Sequence, residues 1–129
     1  MTRTHEKVSR LPEGERSEHT PSSAAQGIEQ AFSFVEGRWK LLILFHLFGG
    51  KVLRFSDLER AIPAISQKML AQQLRQLEAD GIVQRIVHNQ IPPKVEYRLT
   101  AWGQSLCPAL DALLKWAEMR TRNAPNVSG

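Results

Sequence analysis

At 129 residues, with 42% hydrophobic and 23% charged side chains, the chain suits one soluble domain with a single modest core. The formal net charge of +4 is uneven: residues 38–98 hold ten Lys/Arg against five Asp/Glu, whereas 27–37 and 99–119 together hold one Lys against four acids. A basic middle between acidic flanks fits a surface that faces phosphates, and it also fits an ordinary solvated surface. The longest apolar run, residues 41–48, falls far short of the roughly 18–20 that span a bilayer. One cysteine, Cys107, excludes an internal disulfide framework, and residues 1–26 lack an apolar signal-peptide core. A cytoplasmic protein with no membrane partner is expected.

Residues 1–23 mix Arg, Glu, Ser, Thr and Pro without periodicity and are expected to form a disordered arm. Residues 120–129 read as a flexible tail, which leaves 24–119 as the domain. Ile28, Ala31, Phe32 and Val35 predict a first helix over about 24–36, ended by Gly37. A second, about 38–48, is apolar nearly all round, so it reads as the central core helix, with His46 a core histidine. Gly49-Gly50 stops it.

A third helix opens on Ser56-Asp57-Leu58-Glu59, read as a capping box, and closes at Ile62-Pro63. Ser66 caps the fourth, "SQKMLAQQLRQLEADG", whose stop is Asp80-Gly81. A hairpin follows in which Val95, Tyr97 and Leu99 alternate with Lys94, Glu96 and Arg98. Thr100 caps a fifth helix carrying Trp102, Leu106, Leu110, Leu113, Leu114 and Ala117 on one stripe, with a kink expected one turn before Pro108. The class is mainly α with a small β-hairpin: a winged helix-turn-helix of five helices and a two- or three-stranded antiparallel wing.

The fourth helix sets Leu70, Leu74 and Leu77 to one side and Gln67, Lys68, Gln72, Arg75 and Gln76 to the other. Lys and Arg can donate to guanine O6 and N7, and Gln can pair bidentately with adenine. Any amphipathic surface helix shows polar residues outside, so the order of capped short helix, tight break, polar helix and hairpin is what favours a DNA reader. Arg54, Ser56, Ser66, Gln67, Lys68, Gln72 and Arg75 form the candidate contact set, joined by His88, Asn89, Gln90 and Lys94 of the proline-stiffened wing. Those prolines also suit a strand edge protected from pairing.

Ile28, Phe32, Trp102, Leu106, Leu110, Leu113 and Leu114 are candidates for a homodimer interface, which would set two recognition helices against a pseudo-palindromic double-stranded operator. Cys107 lies between apolar neighbours with no second cysteine, so it reads as a buried, inert thiol. No metal-ligand spacing, phosphate loop, nucleophile elbow or paired carboxylates stand out, so no catalytic residue, cofactor or metal is expected. A winged helix that binds protein instead of DNA is the competing reading.

Several motifs in register sharpen this: Gly37-Arg38-Trp39-Lys40, Leu53-Arg54-Phe55, Ile65-Ser66-Gln67-Lys68-Met69-Leu70, Gln73-Leu74-Arg75, Leu77-Glu78, Asp80-Gly81, Pro92-Pro93, Val95-Glu96-Tyr97 and Leu99-Thr100. Over about Gly27–Ala117 the chain resembles the HxlR-type family of bacterial winged-helix transcriptional regulators. The resemblance implies a homodimer joined by the first and fifth helices, with the fourth helix in a major groove. It also implies repression or activation of nearby genes in response to aldehydes, quinones, oxidants or other small molecules. Many members carry a cysteine before the first helix; this chain has Gln26-Gly27 there, which excludes thiol sensing at that position.

Overall fold

The computed structural model describes residues 18–123, with side chains described as far as Arg120. The mobile arm and tail expected from composition fall largely outside those residues. The described chain divides at Gly37/Arg38 into two units.

In the first unit, α1 runs Pro21–Ser33, beginning three residues before the periodicity suggested, so Gln26-Gly27 lie within it and not ahead of it as expected. Thr20 and Ser23 cap it reciprocally: Ser23 N–H donates to Thr20 Oγ1 at 3.1 Å, and Thr20 N–H donates to Ser23 Oγ at 3.0 Å. Pro21 stands at the first helical position, where its missing N–H would have no intrahelical partner anyway. Ile28 and Phe32 of α1 stand about half exposed.

The second unit begins with α2 (Lys40–Leu47), whose Ile43, Leu44 and Leu47 are fully buried. Its all-round apolar character does not mean burial on every side. Leu42 and Phe45 are exposed, Phe45 at 47%, and His46 is half-buried. Gly49 and Gly50 both take positive φ (86° and 75°), the left-handed turn that ends α2 and is cheap only for glycine.

A short strand, β1 (Leu53–Arg54), then feeds straight into α3 (Phe55–Ala61). The capping box expected at Ser56 and Glu59 is displaced. Arg54 is the N-cap, and the Asp57 carboxylate accepts its N–H at 2.8 Å while also accepting Arg60 at 2.6 Å. Strand pairing holds the chain extended as far as Arg54, so Phe55 becomes the first helical residue and Ser56 lies exposed in the first turn.

Ile62 leaves helical geometry before Pro63, and α4 (Gln67–Ala79) starts four residues later. Ser66 Oγ accepts the Met69 N–H at 3.0 Å, and Leu70, Leu74 and Leu77 are buried along one side. Ser66→Ala is expected to cost about 1 kcal/mol by leaving that N–H uncapped, measured as a lower urea midpoint at unchanged slope. An unchanged midpoint would mean that water replaces the hydroxyl without loss.

Gly81 (φ 79°) ends α4, with Ile82 N–H bonded back to Leu77 O. The wing strands β2 (Val83–His88) and β3 (Lys94–Leu99) pair antiparallel, and β3 also pairs with β1, giving the order β1-β3-β2. The wing therefore has the larger of the two strand numbers expected.

Thr100 Oγ1 accepts Gly103 N–H at 3.0 Å and donates to Gly81 O at 2.7 Å, tying the start of α5 (Ala101–Gln104) to the end of α4. The expected fifth helix is present as two segments, α5 and α6 (Cys107–Asn123). Pro108 has no N–H to offer the preceding turn, but it is tolerated in the first turn of a new helix. The expected kink is thus a break at Ser105-Leu106.

Candidate nucleic-acid interface

Helix α4 divides cleanly. Leu70, Leu74 and Leu77 are sealed against the core, while Gln67, Lys68, Gln72, Arg75 and Gln76 are all exposed. Gln73 is half-buried and uses its amide on Met69 Sδ at 3.4 Å, which removes it from the outward set. Lys68 and Arg75 have no carboxylate within 4 Å among the described residues. Arg54, Ser56 and Ser66, at the starts of α3 and α4, are also exposed. A helix anchored by three buried leucines, with its amide and cationic side chains unpaired, can place donors without giving up an internal bond.

The wing is built differently. Glu96 lies on β3 opposite Ile86, two pairs along from His88 and Lys94, which face each other. His88 Nε2 donates to Glu96 Oε1 at 2.7 Å, and Lys94 Nζ lies 3.6 Å from Glu96 Oε2. The hydrogen bond from His88 is the main cause holding the Glu96 carboxyl below its ordinary value. Partial desolvation opposes it, and the Lys94 charge adds to it. Read from sequence as free phosphate contacts, His88 and Lys94 instead share an acidic partner. Asn89 and Gln90 are exposed at the tip beside Ile91, which is 99% exposed. Glu96 had a signal in the sequence, an acid alternating with the wing cations, but only the hairpin register shows which cations it meets.

Cys107 is half-buried, not buried as expected. It lines an open groove of about 540 Å³ with Phe45, Phe48 and Pro108, where the rings of Phe45 and Phe48 meet edge-to-face at 5.3 Å. Arg85, absent from the candidate set, is exposed on β2 and shares a cleft with Arg75.

Residues 34–125 match the family model described as HxlR-like helix-turn-helix. The chain belongs to that family. Among its relatives, the uncharacterized HTH-type transcriptional regulator YtcD of Bacillus subtilis is 54% identical over 89 residues, spanning 69% of this chain and 70% of YtcD. Among solved structures, the reduced form of the redox regulator HypR is 42% identical with a TM-score of 0.68, covering 76% of this chain and 95% of HypR. A MarR-family transcriptional regulator from Enterococcus faecalis V583 reaches a TM-score of 0.78 at 36% identity, covering 86% of this chain and all of that one. This HxlR-like chain is a transcriptional regulator of the helix-turn-helix type and not an enzyme. Its fold is a winged helix-turn-helix. No helix among the described residues is long and apolar enough to cross a membrane.

Proposed function

We propose that this HxlR-like chain is a sequence-specific DNA-binding regulator that acts as a cytoplasmic homodimer and answers a small-molecule or stress signal. The observation that carries the reading is the division of α4. Three buried leucines fix its axis, and Gln67, Lys68 and Gln72 project from its N-terminal half, with no carboxylate among the described residues taking up Lys68. In helix-turn-helix proteins that half of the second helix meets base edges in the major groove. Ser66 caps the helix so that its first turn is ordered before binding.

The wing tip, with Asn89 and Gln90 exposed, reaches toward the neighbouring minor groove. There Glu96 sets the free charge: with His88 and Lys94 bound to it, the wing attracts phosphate less than its cation content suggests. Exposed apolar side chains on α6 (Leu113, Leu114) and, in the other unit, on α1 (Ile28, Phe32) are each available for self-association.

The test is selection of a duplex from a random pool by the purified protein, followed by titration of the selected and scrambled duplexes. Lys68→Ala is expected to weaken the selected duplex by about tenfold or more, the discrimination carried by one good base contact. The scrambled duplex should lose less, so the ratio of the two affinities narrows. If no sequence is enriched, the protein-binding alternative gains. If both duplexes weaken equally, Lys68 holds backbone and does not read bases.

A further inference from the structure

Arg85 and Arg75 converge on one cleft. Cross-strand pairing sets Arg85 opposite Tyr97, and strand alternation puts both on the sheet face that carries buried Val83 and Leu99. That face turns toward α4. A cleft of about 350 Å³ opens there, lined by Ala71, Leu74, Arg75 and Glu78 of α4 and by Arg85 and Tyr97 of the sheet.

Neither guanidinium group has a counter-charge among the described residues, whereas several other cations do. Arg60 is held by Asp57 at 2.6 Å, His88 and Lys94 share Glu96, and Lys115 meets Asp111 at 3.2 Å. Glu78 lines the same cleft but lies beyond ion-pair distance of either arginine, and no other described carboxylate reaches them. Two arginines at one open cleft repel each other until an anion sits between them. A guanidinium fork binds phosphate oxygens in bidentate fashion, and Tyr97, whose side chain carries a hydroxyl donor, lines the same cleft.

Position says which anion. With the start of α4 in a major groove and the wing tip over the next minor groove, the surface between them covers the backbone strand that separates the two grooves. The cleft is that surface. Arg75 is eight residues beyond Gln67, about 12 Å along the helix axis, which takes it away from the end that reads bases.

We propose that Arg85 and Arg75 together clamp a single backbone phosphate of the bound duplex at the junction of α4 and the wing. The proposal rests on the DNA-binding reading above, and it moves Arg75 from base recognition to backbone positioning. It makes the clamp a device that fixes the angle of α4 in its groove without reading sequence.

Fluorescence anisotropy with a selected 30-bp duplex and a scrambled 30-bp duplex, across a range of KCl concentrations, tests it. Arg85→Gln is expected to weaken both duplexes by the same factor, on the order of tenfold, and Arg85→Lys to weaken them less because the charge remains. Because both arginines serve one phosphate, Arg85→Gln with Arg75→Gln should reduce the log–log salt slope by about 0.9, one phosphate's worth, and not by about twice that. Matched thermal melts confirm that each variant is folded. Unchanged affinity of Arg85→Gln for both duplexes, or a loss confined to the selected duplex, overturns the clamp. A double variant whose slope falls by about 1.8 overturns the sharing of one phosphate. A wild-type protein without salt-dependent affinity for either duplex overturns the DNA-binding reading, and the clamp with it.

Discussion

Gly103→Ala is expected to unfold well below the wild-type midpoint, although alanine is the better helix former. Gly103 is buried in α5 with an ordinary helical backbone, so conformational freedom is not what holds glycine there. Space is. A Cβ at this position would overlap the carbonyl oxygen of Ile82 and come within 3.1 Å of its Cγ2. That carbonyl cannot easily withdraw: it accepts the Thr100 N–H at 3.0 Å, and Ile82 itself is only 2% exposed. Thr100 in turn caps α5 through the Gly103 N–H, so any shift loosens the cap and the tie to Gly81 together.

Overpacking of this kind costs about 1–3 kcal/mol, and more where backbone must move, against a helix-propensity gain of about 1 kcal/mol. The loss should win. Gly27→Ala is the control, since nothing lies within 4 Å of a Cβ there; it should hold or raise the midpoint. Urea unfolding of the two variants side by side decides the matter, and equal midpoints would show that the α4–α5 junction relaxes freely.

The junction also marks where sequence reading stops. The stripe Leu70, Leu74, Leu77, the Ser66 cap, the Gly81 stop and the Thr100 cap were all legible, because each is set by residues within a turn or two of one another. What local pattern could not show depends on partners far along the chain. The α3 cap moved to Arg54 because β1 pairs with β3, more than 40 residues away. Leu42 and Phe45 stayed exposed because an apolar helix does not reveal which of its sides will find a neighbour.

The same limit hid parts of the candidate interface. In "VQRIVH" the two faces of β2 mix apolar and polar residues, so no alternation marked Arg85 as turned toward α4. Glu96 read as one more exposed strand residue until the register set it beside His88 and Lys94. Pro108 signalled a distortion correctly, but whether a proline bends a helix or starts a new one depends on the packing of the turn before it. Here Leu106 N–H takes up Gly103 O, and the chain restarts at Cys107.

Leu114→Asp is expected to sediment as a monomer and to lose operator affinity by more than about 100-fold, the scale of coupling lost when two linked half-sites bind separately. Leu110, Leu113, Leu114 and Ala117 form one stripe on α6, yet Leu113 and Leu114 are 42% and 49% exposed in the single chain. A stripe that periodic, left open, fits a surface covered by a second copy. An aspartate placed there would carry a charge into an apolar covered surface, a cost large enough to dissociate a modest interface. In the monomer the same side chain would face water, so the fold should survive.

Two readouts separate these effects. The wild-type melting midpoint should rise with protein concentration, as mass action requires of a dimer, whereas that of Leu114→Asp should not. Lys115→Ala, which removes only the exposed pair with Asp111, should keep both the dimer and its affinity. A Leu114→Asp protein that remains dimeric would move the interface off this stripe. One that is monomeric yet binds the operator with full affinity would mean that a single α4 and wing suffice for recognition.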